Sequence, residues 1–180
     1  MKIALVVLVL FILYSIIQYN SIVQAKVRVE SAWSQIDVQL QRRMDLIANL
    51  VETVKGYAGH EKSTLEAVVN ARAKAVSSSS PAESAANQNM LTQALGQLLM
   101  VSEAYPDLKA SENFLNLQSE LSSTEGRVAY ARNYYNESVQ IYNTKISSFP
   151  SNMYAKLQKA QIKEFFATDD ASRSVPKVQF

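Results

Sequence analysis

The sequence predicts an all-α protein: an N-terminal transmembrane helix that continues without a break as the spine of a bundle of long helices. Three observations predict it. No proline or glycine occurs from Met1 through Lys55, so nothing obliges a helix to stop before Gly56. Ile3 to Ala25 carries no charge. As a helix rising about 1.5 Å per residue it reaches roughly 34 Å, enough for a hydrocarbon core of about 30 Å. Finally, Tyr19, Ile22, Lys26, Val29, Trp33, Ile36, Leu40, Arg43, Ile47, Leu50, Val54 and Tyr57 fall at alternating steps of three and four. That spacing puts them on one face of one long rod, with only Lys26 and Arg43 setting charge into the stripe.

The leader has two readings. Its densest part, Ile3 to Leu13, is the size of a signal-peptide core, and Val23-Gln24-Ala25 resembles a cleavage site. Tyr14, Ser15, Gln18, Tyr19 and Asn20 favour a retained span, because tyrosines suit the membrane boundary. Lys2 stands alone before the span, whereas Lys26, Arg28, Arg42 and Arg43 follow it. That bias favours an amino terminus outside and the bundle in the cytoplasm.

Gly56 and Gly59 bracket the end of the first rod. A second helix is expected from about Glu61 to Val76, with Leu65, Val68, Arg72 and Val76 on one face. Four serines, Ser77 to Ser80, form a loop. Ser80-Pro81-Ala82-Glu83 reads as a capping box with proline in the first turn. The third helix carries Leu91, Leu95, Leu98 and Ser102 to about Ala104, where Tyr105-Pro106-Asp107 ends it. A fourth runs from about Ser111 to Ser147, with Leu121, Glu125, Val128, Arg132, Tyr135, Val139, Tyr142 and Ile146 as its stripe. Phe149-Pro150 stops it. A short helix over 152–166 and an extended arm, Val175 to Phe180, complete the chain. The expected organisation is an anchor over 1–25, a bundle over 26–150 and a terminal segment over 151–180.

Composition narrows the function. Eighteen basic and sixteen acidic residues give a net charge of +2, with no dense basic block, so nucleic acid is not an expected partner. The chain has no cysteine, which removes disulfides and thiolate chemistry. It contains no nucleophile elbow, P-loop, dinucleotide fingerprint or zincin motif. His60 is the single histidine and is poor evidence for a metal. Neither enzymatic activity nor a cofactor is expected.

Several stretches together resemble the LemA family of bacterial membrane proteins. They are Tyr19-Asn20-Ser21-Ile22-Val23, the block from Ala32-Trp33 to Arg42-Arg43, and Asn49-Leu50-Val51 leading to Lys55-Gly56-Tyr57-Ala58-Gly59-His60-Glu61. Ala71-Arg72, Tyr105-Pro106-Asp107-Leu108-Lys109-Ala110, Thr124-Glu125, Ala131-Arg132, Tyr135-Asn136, Tyr142-Asn143 and Phe149-Pro150 follow in the family's order. One departure is Ala48, where such proteins often carry proline. The resemblance implies a membrane helix with a short external amino terminus and a cytoplasmic bundle of long antiparallel helices. It implies no activity.

Arg43, Arg72, Glu125 and Arg132 lie on or beside apolar faces. Either they reach solvent along their stems, or Glu125 pairs with one or more of the arginines in an internal network. Trp33, Tyr135 and Tyr142 are further structural or interaction candidates. A tyrosine on such a stripe is expected to pack with its hydroxyl bonded across helices. Residues 152–166 mix Met153, Tyr154, Leu157, Phe165 and Phe166 with Lys156, Lys159 and Lys163. They either cap the bundle end or form a basic amphipathic segment on lipid or on a neighbouring subunit. The functional expectation is a membrane scaffold, a homo-oligomer or a platform for other membrane proteins. An accessory module that senses a partner through the polar network is the alternative.

Overall fold

A computed structural model describes residues 1–166. The expected arm at Val175 to Phe180, the stretch Ala167 to Ser174 and its Asp169-Asp170 pair lie outside the described residues. Six helices follow one another: α1 Lys2–Tyr57, α2 Lys62–Val76, α3 Pro81–Ser102, α4 Pro106–Lys109, α5 Glu112–Ser147 and α6 Ser151–Leu157. No strand occurs among the described residues. The all-α class holds, and α1 is continuous across all 56 of its residues.

Two compact units make up the described fold, one of 1–36 with 131–165, the other of 37–130 with 166. In the first, α1 packs on α5. Ile22, Ala25, Val29, Ala32 and Ile36 are buried on α1, and Ala131, Tyr135, Val139, Tyr142 and Ile146 on α5. The two run antiparallel: Lys145 Nζ donates to Ser21 Oγ at one end, and the Trp33 and Tyr135 rings meet at the other. The seam passes through Ala25, not Lys26, which is exposed beside Glu30. Ile3 to Tyr14 is exposed along its whole length, and α1 is apolar and long enough there to cross a membrane.

In the second unit one core gathers five helices. Met44, Ile47, Leu50, Val51 and Val54 of α1 meet Leu65 and Val68 of α2, Leu91, Leu95 and Leu98 of α3, Leu108 of α4 and Phe114 of α5. On α2 the buried face ends at Ala75, and Val76 points outward. Gly59 turns the chain out of α1: a Cβ there would lie 3.0 Å from the Lys55 carbonyl oxygen, so only glycine fits without displacement. Ser80 caps α3 by accepting from the Glu83 amide at 3.2 Å, with Pro81 in the first turn. Glu83 reaches past the cap to the Ser79 amide and hydroxyl, each at 2.8 Å.

Two expected boundaries are corrected. Pro106 both ends the third helix, at Ser102, and opens the one-turn α4, because proline is as well suited to a first helical position as it is hostile to an interior. The helix expected over 152–166 stops at Leu157. Lys159 takes a left-handed φ of 51°, Ala160 N donates to Ala155 O and Lys159 N to Lys156 O, which is a Schellman ending built on lysine in place of glycine.

Candidate functional site

The most polar feature of the interior is built on Arg43. Its place on the α1 stripe, between Leu40 and Ile47, carries it into the bundle, where it is only 3% exposed. Burial pulls its pKa below the usual arginine value, opposed by the nearby Glu125 carboxylate. A guanidinium nevertheless stays cationic in proteins, so it must find acceptors. Nη1 donates to Gln88 Oε1 at 2.9 Å, and Nη2 donates to Thr92 Oγ1 at 2.9 Å and to Glu125 Oε1 at 2.7 Å. One side chain thereby ties α1 to both α3 and α5. Gln88 is buried, and Thr92 Oγ1 in turn donates to the Gln88 carbonyl at 3.0 Å. Glu125 differs: its side chain is 53% exposed, so the acidic end of the network meets water.

Arg43 Nε has no acceptor, so the network is not fully satisfied. Its value lies more in fixing how the three helices align than in net stability, because desolvation consumes much of the Coulombic gain. Arg42 pairs with Glu120 at 2.6 Å next door, but both are exposed and the pair contributes little.

Of the three arginines considered partners for Glu125, Arg43 takes that role. Arg72, half-buried on α2, donates from Nε to the Met44 carbonyl of α1 at 2.9 Å. Arg132 is half-buried on α5.

The aromatic candidates belong to the other unit. Trp33 and Tyr135 meet edge to face with ring centroids 5.4 Å apart. Arg28 lies over the Tyr134 ring at 5.4 Å. The Tyr135 hydroxyl donates to the Glu164 carbonyl at 2.9 Å, so it ties down the segment after α6 and does not bridge two helices. Asn143 reinforces that tie by exchanging two bonds with the Lys163 backbone, at 2.8 and 2.9 Å. Burial raises the pKa of Tyr135, with the Glu164 charge adding to it, and does the same at Tyr142 with Glu30 adding. Tyr19, by contrast, is exposed.

Gln88 and Thr92 were missed from the sequence. A signal existed: Ser84, Gln88, Leu91, Leu95, Leu98 and Ser102 continue the α3 stripe in steps of three and four, with polar residues where apolar ones are expected. Chemically the assembly is a set of hydrogen bonds around a cation, with no nucleophile and base in contact. Among the described residues no group of three or more histidine, cysteine, aspartate or glutamate side chains could hold a metal. His60 sits exposed in the turn after α1.

Comparison with known proteins bears on this architecture. The family model described as the LemA family matches residues 32–180. Magnetosome protein MamQ 2 of Paramagnetospirillum magneticum is 26% identical over 92% of this chain and 71% of its own length. Magnetosome protein MamQ of Magnetospirillum gryphiswaldense is 25% identical over the same shares. Protein LemA of Metamycoplasma hominis is 28% identical over 76% of this chain and 63% of its own. The family match takes in α2 to α6, the C-terminal part of α1 from residue 32 and the whole Arg43 network, and the chain belongs to the LemA family.

Proposed function

We propose that this protein is a non-enzymatic, single-pass scaffold of the bacterial inner membrane, with its amino terminus outside and its bundle in the cytoplasm. The observation that carries the reading is the continuity of α1, in which one helix is both the apolar span and the spine of the core. The bundle's buried cation, Arg43, is occupied in aligning α1, α3 and α5. The charges after the span, Lys26 and Arg28 followed by Arg42 and Arg43, support the orientation. Likeness to proteins named for the magnetosome supports a part in a larger assembly. The scaffold acts as a homo-oligomer or as a platform for another membrane protein. Light scattering on the detergent-extracted full chain tests this: association that grows with concentration is expected, and a strict monomer at every concentration removes the assembly claim.

A second reading is favoured by one observation. A cleft of about 280 Å³ opens beside the network, lined by Leu50, Thr92, Leu95, Leu99, Leu121 and Glu125. Glu125 and Thr92 are the exposed members of the network, so a partner seated there would sense the network directly. Glu125→Gln is then the informative variant, since it should abolish partner capture and leave the fold intact. Arg43, being buried, makes a poor probe.

A further inference from the structure

Phe149, Met153 and Leu157 recur at every fourth position and are 81%, 64% and 76% exposed. The other side of α6 faces α1. Ser151 and Ala155 are buried, Ser151 Oγ donates to Gln18 Oε1 at 3.0 Å, Tyr154 OH and Ser15 Oγ share a hydrogen bond at 3.0 Å, and Gln158 Nε2 donates to the Tyr19 carbonyl at 3.1 Å. All three contacts on α1 lie inside its uncharged stretch. From Ile3, Ser15 is about 18 Å along the helix axis and Tyr19 about 24 Å, both short of the roughly 30 Å hydrocarbon thickness.

We propose that Phe149 and the outward face of α6 lie in the headgroup–acyl boundary of the leaflet from which α1 emerges, as an interfacial anchor. This rests on reading α1 as a membrane span. The depth of Ser15, Gln18 and Tyr19 places α6 at that boundary, where an amphipathic segment is seated. The hydrogen bonds from α6 also account for polar side chains within the span, since a polar group facing lipid must be satisfied by protein. Three large apolar side chains on one side are costly against water and favourable against acyl chains. Lys156 and Lys159, both exposed beside them, reach phospholipid phosphates along their stems. Tyr14 and Tyr19 are exposed on α1 at the same level, as expected of an aromatic belt.

The chain has no cysteine, so single reporters can be placed freely. The full chain is reconstituted in phosphatidylcholine–phosphatidylglycerol vesicles with an environment-sensitive fluorophore at Leu157→Cys or Met153→Cys. Leu10→Cys serves as the span control and Tyr130→Cys, 74% exposed, as the water-facing control. Quenching by aqueous iodide is compared with quenching by lipid-borne nitroxide. The α6 reporters should be shielded from iodide several-fold relative to position 130 and be quenched by shallow nitroxide. Shielding at position 10 with free access at 153 and 157 overturns the anchor and leaves the span standing. Shielding at 153 and 157 that disappears on dilution with excess lipid means a second copy covers the face, and also overturns it. Open access at position 10 overturns the span reading itself and the anchor with it.

Discussion

Arg43→Met removes the cation at the centre of the network and leaves a side chain of similar reach. Gln88 Oε1, on a residue only 1% exposed, then loses its donor. A stranded buried acceptor costs about 1–3 kcal/mol. Thr92 keeps its bond to the Gln88 carbonyl, and Glu125 falls back on water, so neither adds much. Imperfect filling by methionine adds up to about 1.5 kcal/mol, for a total of about 1–4.5 kcal/mol. Gln88→Leu alone is also costly, because it takes an acceptor from a buried guanidinium, by about 1–3 kcal/mol. The pair Arg43→Met with Gln88→Leu should return to within about 1 kcal/mol of the parent, since apolar replacement of a buried polar set is often neutral. Urea unfolding of the detergent-solubilised full chain, followed by far-ultraviolet circular dichroism, measures all three. Strictly additive costs, or an Arg43→Met variant within about 0.5 kcal/mol of the parent, would refute the reasoning.

Three further outcomes are expected. Ala48→Pro removes the amide that bonds the Met44 carbonyl, ordinarily a loss of about 3 kcal/mol or more, but Arg72 Nε already serves that carbonyl. The cost should stay below about 2 kcal/mol in the parent and exceed about 3 kcal/mol with Arg72→Met, and equal costs in both backgrounds would contradict the role given to Arg72. The bonds from Ser79 hold Glu83 below the usual carboxylate pKa, so its contribution is present above the ordinary glutamate value and is lost as pH falls through the lowered one. Melting temperature should therefore decline more steeply on acidification in the parent than in Glu83→Gln, and parallel curves would count against it. Lys159→Gly relieves a left-handed backbone and should raise stability by about 0.5–1 kcal/mol in the same urea assay, whereas a loss would show that the lysine side chain outweighs the strain.

Much of the architecture was legible because helical periodicity is a long-range signal. Tyr19 to Tyr57 displays it over many turns with no glycine or proline before Gly56, and Leu121 to Ile146 keeps it through Gly126. The stripe misplaced Lys26 by one residue because alanine at 25 carries too little apolar surface to stand out beside larger side chains. Pro106 was legible as a terminator but not as an initiator, although Leu108, buried in the core, marks the turn it starts. The end of α6 was hidden because lysine adopts the conformation that glycine normally signals. For the site, a glutamate–arginine network could be anticipated from charges on apolar faces. Its membership could not, since the partners of Arg43 come from α3 and α5, far apart in the chain. Arg72 found a backbone carbonyl, which no side-chain pattern announces.

The central claim is that membrane span and bundle spine share one helical axis. Spin labels at Leu5→Cys and Gln35→Cys, both exposed positions of α1, test it in the reconstituted full chain by pulsed electron–electron resonance. Thirty residues of uninterrupted helix predict a single narrow distribution near about 45 Å. A broad distribution, or a peak shifted well short of that, would mean a bend or coil separates the two parts and would contradict the account.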